Sequence, residues 1–189
     1  MTAMISNVET MNRVTPSYMC SPESISHTTP REDFTAAMAH AVTGVNIVTT
    51  AGPAGRFGVT VSAVSSVSAD RPTVLACIHN QSPACRAVQK NGVFCINVLS
   101  AAQHHLSDVF AGRENSRYDD KFECGDWALR TTGAPTLEDA LATFDCRVDA
   151  VHKVGSHYVF IGMVVDTARC DGIPLLYSSR TYGRPQLLS

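Results

Sequence analysis

The stretch Gly58-Val59-Thr60-Val61-Ser62-Ala63-Val64-Ser65-Ser66-Val67-Ser68 carries the strand pattern that decides the fold of this chain. Apolar side chains alternate with Thr60 and Ser62, which is the two-residue period of a strand that is buried on one face. The pattern predicts one strand over Phe57–Ser68. Its hydroxyl side chains allow two interpretations, because they either face solvent or hydrogen-bond a polar ligand.

The segments around this stretch predict a fold made mainly of strands. Tight connections favour antiparallel pairing, and closure into a barrel removes exposed strand edges. The chain is therefore expected to form a mainly β antiparallel barrel with a few flanking helices. The other predicted strands are Gly44–Thr50, Thr73–His79, Val93–Leu99, Phe144–Val151, His157–Val165 and Leu175–Ser178.

Helix signals are few but specific. A capping pattern starts at Thr29, another joins Ser100 to Gln103 before a helix through Phe110, and Thr136 predicts a short helix over Leu137–Ala142. Ser82 followed by Pro83 predicts a helix that closes at Asn91-Gly92. The start of that helix offers unpaired N–H groups and partial positive charge, which suit a phosphate. Arg86 and Lys90 further along add positive charge.

The composition is that of a globular protein. The chain has 189 residues, 44% of them apolar and 17% charged, with a net charge of −2. These values predict one domain over residues 30–189 after an extension over residues 1–29, which packs on the domain or on a partner subunit. The weak charge favours no nucleic-acid or membrane partner. Without an export signal or a membrane-length apolar run, a cytoplasmic location is expected.

Conspicuous catalytic and metal motifs are missing. The sequence lacks GxGxxG, GxxxxGK[ST], HExxH and GxSxG, and its odd set of seven cysteines contains no CxxC. The cysteines are therefore expected to be reduced core thiols, with no metal site. His104 and His105 are expected to be solvated on a helix, and Asp119-Asp120 beside Lys121 to form a solvated turn.

Taken in order, several segments resemble the short-chain flavin reductases, the reductase components of two-component flavin-dependent monooxygenases. The resemblance covers about residues 33–183. Its carriers are Thr43-Gly44-Val45, Gly58 to Ser68 with Pro72, Phe94-Cys95-Ile96-Asn97-Val98-Leu99, Gln103 to Phe110-Ala111, Lys121-Phe122, Gly133-Ala134-Pro135, Gly155-Ser156-His157 and Pro174-Leu175-Leu176-Tyr177.

The resemblance implies a Greek-key split barrel of the FMN-binding type that works as a homodimer, with flavin near the subunit interface. It implies NADH-dependent reduction of FAD, with FMN as the alternative, and delivery of the reduced flavin to an oxygenase acting on an aromatic or phenolic substrate. Hydride passes directly from nicotinamide to flavin N5, so the cofactors carry the chemistry.

The candidate site follows from the resemblance and from the hydroxyl-rich stretch. His157 is expected on the nicotinamide side as the candidate catalytic residue. Ser65 and the aromatic Tyr182 are further candidates for the flavin. The flavin contacts implied by the resemblance are Arg56, Phe57, Gly58, Val59, Thr60, Ser62, Ala63, Cys77, Ile78, His79, Asn80, Ser82, Pro83, Ala84, Val109 and Phe110.

Two alternatives stay open. A flavoenzyme similar to pyridoxine-phosphate oxidase would keep its flavin bound and oxidise an amine. A flavin- or haem-binding module without enzymatic activity would bind its ligand but would not consume NADH.

Overall fold

The computed structural model describes residues 28–114 and 118–186, which fall into two compact units divided between Ala36 and Ala37. The larger unit holds the sheet and the candidate site. The helices are α1 (Arg31–Ala39), α2 (Pro83–Asn91) and α3 (His104–Phe110), with 3₁₀ turns at Ala101–Gln103 and Lys121–Cys124. The strands are β1 (Thr43–Gly44), β2 (Asn46–Thr50), β3 (Phe57–Val61), β4 (Val64–Ser68), β5 (Thr73–His79), β6 (Val93–Val98), β7 (Trp127–Leu129), β8 (Pro135–Leu137), β9 (Ala142–Val154), β10 (His157–Arg169), β11 (Leu176–Ser178) and β12 (Thr181–Gly183).

A seven-stranded antiparallel sheet forms the body of the domain, in the order β3-β2-β6-β9-β10-β5-β4. β3 and β4 follow each other in the chain but lie at opposite edges of this sheet. Cys77 N, on β5, donates to Ala63 O over 2.9 Å, so the chain reaches the far edge directly after β3 ends. The two edges are thereby joined as in a split barrel, and the predicted fold class is confirmed.

The prediction of one strand over Phe57–Ser68 is wrong. Val61 pairs with Asn46 at one edge of the sheet, whereas Val64 pairs with Ala76 at the other. No single straight strand can serve both edges, so the strand breaks between Val61 and Val64. The alternation in the sequence runs through the break, although β3 is half-buried along most of its length and β4 is largely exposed.

The core consists of two main groups of apolar side chains. Phe94, Ile96 and Phe160 are fully buried on the inner face of the large sheet. A Cβ on Gly162 would come within 2.3 Å of Phe94 Cζ, so glycine makes room for that ring. The second group lies under α3 and includes Leu106 and Phe110. Full burial of each large side chain contributes about 1.5–3 kcal/mol, so both groups stabilise the frame around the site.

The helix signals were largely correct. α2 follows an extended Ser82, begins at Pro83 and closes at Gly92, whose φ of 70° is left-handed and favours glycine. At the second signal, Gln103 Oε1 accepts from Ser100 N over 2.9 Å, as the capping pattern predicts. The first turn after Ser100 is nevertheless 3₁₀, and α3 follows it.

The short helix predicted over Leu137–Ala142 is wrong. Leu137 ends β8 and pairs with Trp127 on β7. Its N–H donates to the buried Asn97 Oδ1 over 2.8 Å, so a neighbouring strand supplies the partner that a helix would have supplied. The Thr136 hydroxyl lies 3.4 Å from Ala134 O instead of capping a helix.

The cysteine and histidine side chains differ in how deeply they are buried. No disulfide joins Cys77, Cys85, Cys95, Cys146 and Cys170, and Cys20 lies outside the described residues. Cys85, Cys95 and Cys146 are buried as predicted, whereas Cys170 is exposed, so the prediction of a core thiol is wrong there. Burial raises the pKa of the Cys95 thiol to about 12. His104 and His105 are exposed on helix α3, as the sequence predicts. Within the described part of the chain, no helix is long and apolar enough to cross a membrane.

Candidate functional site

A cavity of about 710 Å³, the main cavity of the candidate site, opens between the start of β3, the end of β5, α2 and the 3₁₀ turn at Lys121–Cys124. Its volume lies in the range of small-molecule and cofactor sites. The cavity is lined by Arg56, Phe57, Gly58, Val59, His79, Ser82, Pro83, Ala84, Phe110, Ala111, Asp119, Asp120, Lys121 and Phe122.

One wall of the cavity is aromatic. Phe110 and Phe122 pack edge to face with ring centroids 5.2 Å apart, and Trp127 lies behind both at 5.4 and 5.0 Å. Gly58 allows this arrangement, because a Cβ there would lie 2.4 Å from Phe110 Cε1. Phe110 and Phe122 are only 2% and 7% exposed, so the wall forms a tightly packed apolar boundary of the cavity.

The edge of the cavity is charged, because Arg56 and Asp120 form an ion pair there. Arg56 Nη2 donates to Asp120 Oδ2, and the guanidinium lies over the Phe122 ring with Cζ 4.5 Å from the centroid. Asp120 Oδ1 accepts from Phe122 N over 3.0 Å and so caps the 3₁₀ turn. That backbone hydrogen bond, followed by Arg56, lowers the pKa of the Asp120 carboxyl. Asp120 is therefore ionised at neutral pH.

The start of α2 forms another part of the lining. Ser82 makes no side-chain capping bond to the helix, so its hydroxyl is not used there. The first helical N–H groups have no carbonyl partner within the helix, which gives this end partial positive charge. Arg86 and Lys90 are exposed and do not line the cavity, so Arg56 and Lys121 supply its positive charge instead.

His79 and His157 meet at the end of β5. They are cross-strand partners, and their ring centroids lie 5.1 Å apart at nearly a right angle. His79 lines the cavity, whereas His157 stands beside it. Ser156 Oγ lies 3.0 Å from His157 Nδ1, so Nε2 is the nitrogen that remains for a ligand.

A second, smaller cavity of about 180 Å³ lies farther along β3, at Thr60 and Val61. Tyr182 Oη lies 2.8 Å from both Ser107 Oγ and Asp108 Oδ1, and Arg113 Nη1 donates to the same carboxylate over 2.9 Å. Burial raises the pKa of the Tyr182 hydroxyl, which keeps it protonated at neutral pH. This cavity is lined by Val45, Thr60, Val61, Ser62, Ser107, Ala111, Arg113, Tyr177 and Tyr182.

The structure gathers part of the predicted site and separates the rest. The residues that line the main cavity are Arg56, Phe57, Gly58, Val59, His79, Ser82, Pro83, Ala84 and Phe110. Thr60, Ser62 and Tyr182 line the smaller cavity. Those that line neither are Ala63, Ser65, Cys77, Ile78, Asn80, Val109 and His157.

The separated residues have other positions in the fold. Ile78 and Val109 are 1% exposed and belong to the core. Ser65 lies on the exposed edge strand β4. The Thr60 hydroxyl donates to Ser107 O over 2.8 Å, which fixes α3 against β3. The hydroxyl-rich stretch thus contributes no hydroxyl group to the main cavity.

Sequence reasoning missed the acidic part of the lining. Asp119 and Asp120 were expected in a solvated turn, but they line the cavity, and Asp120 pairs with Arg56, which lies 64 residues earlier. The neighbouring Lys121-Phe122 did carry part of the family resemblance. That pair was the one local signal that this turn belongs to the site.

The fold and the cavity together define a split-barrel protein with a cofactor-sized cavity that is lined by aromatic rings and by charges of both signs. The model of the flavin reductase like domain matches residues 38–186, most of the chain. The chain therefore belongs to the flavin reductase like domain family, and the resemblance seen in its sequence is confirmed.

Individual relatives agree with this assignment. The chain is 44% identical over 151 residues to a protein of Agrobacterium fabrum named FMN reductase (NADH) RutF, covering 79% of this chain and 86% of the relative. The solved flavin reductase PheA2 is 30% identical, with a TM-score of 0.76, over 84% of this chain and all of that one. The styrene monooxygenase flavin reductase of Pseudomonas putida is 27% identical, with a TM-score of 0.72, over 82% and 99%.

Proposed function

We propose that this protein is an NADH-dependent flavin reductase that binds flavin in the 710 Å³ cavity. The observation that carries the proposal is a single cavity of cofactor size in which packed aromatic rings lie beside the ion pair of Arg56 and Asp120. Family membership and the name of the Agrobacterium relative support the same activity.

The lining residues fit the two ends of a flavin. Phe110 and Phe122 offer an apolar surface for the ring system, and Arg56 and Lys121 offer positive charge for the phosphate. The start of α2 adds the N–H of Ala84, since Cys85 N already donates to Ser82 O over 3.0 Å. A flavin bound there supplies the hydride acceptor, so the residues of the chain bind and orient rather than transfer protons.

His157 and His79 form the proposed nicotinamide side of the site. Their edge contact places one imidazole on the cavity wall and the other directly beside it. Ser156 holds His157 Nδ1, which fixes the ring and leaves Nε2 for the carboxamide or ribose of NADH. This arrangement supports the role that the resemblance gives to His157.

The preferred flavin is proposed to be FMN. Sequence reasoning favoured FAD on the resemblance to aromatic-hydroxylase reductases, with FMN as the alternative. The Agrobacterium relative is named for FMN. The lining also holds two cations, Arg56 and Lys121, which is enough for one phosphate. FMN, FAD and riboflavin should be compared in one assay.

The reduced flavin is proposed to serve a partner oxygenase. The Pseudomonas putida structure bears the name of a styrene monooxygenase flavin reductase, which supports such a division of labour. The aromatic or phenolic substrate of the oxygenase remains a prediction from the resemblance. Adding a purified oxygenase together with its aromatic substrate and dioxygen should reoxidise the reduced flavin and yield hydroxylated product and water.

The chain is also proposed to form a homodimer. On β5, buried Val74, Ala76 and Ile78 alternate with the half-buried Leu75 and Cys77 on the outer face. Their partners on β10, Ile161 and Val159, are likewise half-buried. An apolar outer face on central strands favours cover by a second copy. The role predicted for residues 1–29 falls mainly outside the described residues.

The activity can be tested with purified protein, NADH and each flavin under anaerobic conditions. The proposal predicts that NADH and oxidised flavin, each followed by its own absorbance, disappear in equimolar amounts at a rate proportional to protein concentration. Retention of a copurified flavin with amine oxidation would favour the oxidase-like alternative. Flavin binding without NADH loss above the protein-free blank would favour a binding module.

A further inference from the structure

Arg56 does not stand free at the cavity edge. Its guanidinium donates to Asp120 Oδ2 and covers the Phe122 ring. The other oxygen of the same carboxylate accepts from Phe122 N over 3.0 Å. One aspartate therefore holds the 3₁₀ turn and the only arginine in the lining of this cavity at the same time.

The charges around the cavity cancel. Its lining contains the cations Arg56 and Lys121 and the anions Asp119 and Asp120. A carboxylate near a phosphate repels it, and a guanidinium that already pairs with a carboxylate has less attraction left for a second anion. A site that retains a phosphate permanently would gain from an uncompensated cation, whereas this cavity has its cations balanced.

We propose that Asp120 competes with the flavin phosphate for Arg56 and so keeps the flavin exchangeable. The inference rests on the proposed function and adds a residue that sets affinity. When flavin binds, its phosphate takes up guanidinium N–H groups that Asp120 otherwise shares. When flavin leaves, Asp120 again compensates Arg56, so departure does not leave an unpaired cation.

The Asp120→Asn variant separates this role from a purely structural one. Asparagine caps helix starts as well as aspartate does, so the bond from Phe122 N and the 3₁₀ turn should survive. Only the negative charge is removed. Glu123→Gln is the matched control, because Glu123 is an exposed carboxylate in the same 3₁₀ turn that does not line the cavity and makes no ion pair with Arg56 among the described residues.

Binding can be measured by quenching of Trp127, the single tryptophan of the chain, which touches both Phe110 and Phe122. FMN and riboflavin differ only in the phosphate, so their comparison isolates its contribution. Asp120→Asn should lower the Kd for FMN about fivefold, in the range that an exposed ion pair supports. It should leave riboflavin unchanged, and Glu123→Gln should change neither ligand more than about twofold.

A second variant tests the arginine. Arg56→Gln removes the charged guanidinium that lies over Phe122, and it should abolish the preference for FMN over riboflavin. In that background, Asp120→Asn should no longer tighten FMN binding.

Each other outcome has a definite meaning. Asp120→Asn that weakens FMN and riboflavin together would overturn the inference in favour of a structural role. Unchanged FMN binding, equal tightening of both flavins, or the same effect from Glu123→Gln would also overturn it. Failure of the unaltered protein to bind either flavin would refute the proposed function itself, and the inference with it.

Discussion

Replacing Gly58 with alanine adds one methyl group behind the aromatic wall of the cavity. The new Cβ would lie 2.4 Å from Phe110 Cε1 and 2.7 Å from Cδ1. Ordinary contact begins at 3.4 Å, so the ring must retreat by about 1 Å. Phe110 is 2% exposed and packs against Phe122 and Trp127, so its retreat displaces those rings as well.

Overpacking of this kind costs about 1–3 kcal/mol. We expect Gly58→Ala to lower the free energy of unfolding by about 2 kcal/mol, measured by urea unfolding followed at Trp127. Because the displaced rings form the cavity wall, FMN binding should weaken about tenfold, which corresponds to 1.4 kcal/mol.

A matched control exists in the same fold. Gly44 lies on strand β1, and a Cβ there would meet no atom within 4 Å. Gly44→Ala should change stability by less than about 0.5 kcal/mol and leave FMN affinity unchanged. In the Gly58→Ala background, Phe110→Leu should recover part of the lost stability by making room for the methyl group. If Gly58→Ala behaves like Gly44→Ala, the close packing assigned to Phe110 is wrong.

Three further predictions concern separate parts of the molecule. His157→Ala should raise the KM for NADH several-fold while changing the Kd for FMN less than twofold, and steady-state kinetics showing an unchanged NADH KM would refute its nicotinamide role. Leu75→Asp places a charge on the outer face of β5 and should convert a dimer to a monomer in light scattering, whereas Gln89→Asp on exposed α2 should not; a protein that is already monomeric contradicts the dimer. Because burial raises the pKa of Cys95 to about 12, its thiolate is scarce at neutral pH, and native iodoacetamide labelling read by mass spectrometry should modify exposed Cys170 while sparing Cys95.

Features with a local cause could be predicted from the sequence. The Ser82-Pro83 start and the Gly92 end of α2 follow from capping chemistry that acts within one turn. The Ser100 and Gln103 signal also matches its hydrogen bond. The same logic failed at Thr136, because Asn97, 40 residues away from Leu137, supplies a partner that no local pattern reveals.

The candidate site, too, could be predicted only where its residues carry a local sequence pattern. The segments around Gly58 and Ser82 were recognisable because each carries its own pattern, and the structure places both on one cavity. Asp120 was not recognisable, since its partner Arg56 lies 64 residues earlier and meets it only through the folding of the sheet. The prediction of a single strand over the hydroxyl-rich stretch was wrong for a related reason. Its alternating pattern hides the break after Val61 that sends Ser65 to the opposite edge of the sheet.

The central claim is that this cavity brings NADH and a flavin together for hydride transfer. The most direct measurement is anaerobic rapid mixing of the protein–FMN complex with NADH, followed by the loss of oxidised-flavin absorbance. The account predicts reduction far faster than in a protein-free mixture, and slowed in Gly58→Ala, whose cavity wall is displaced. A reduction rate equal to that of free FMN with NADH would contradict it.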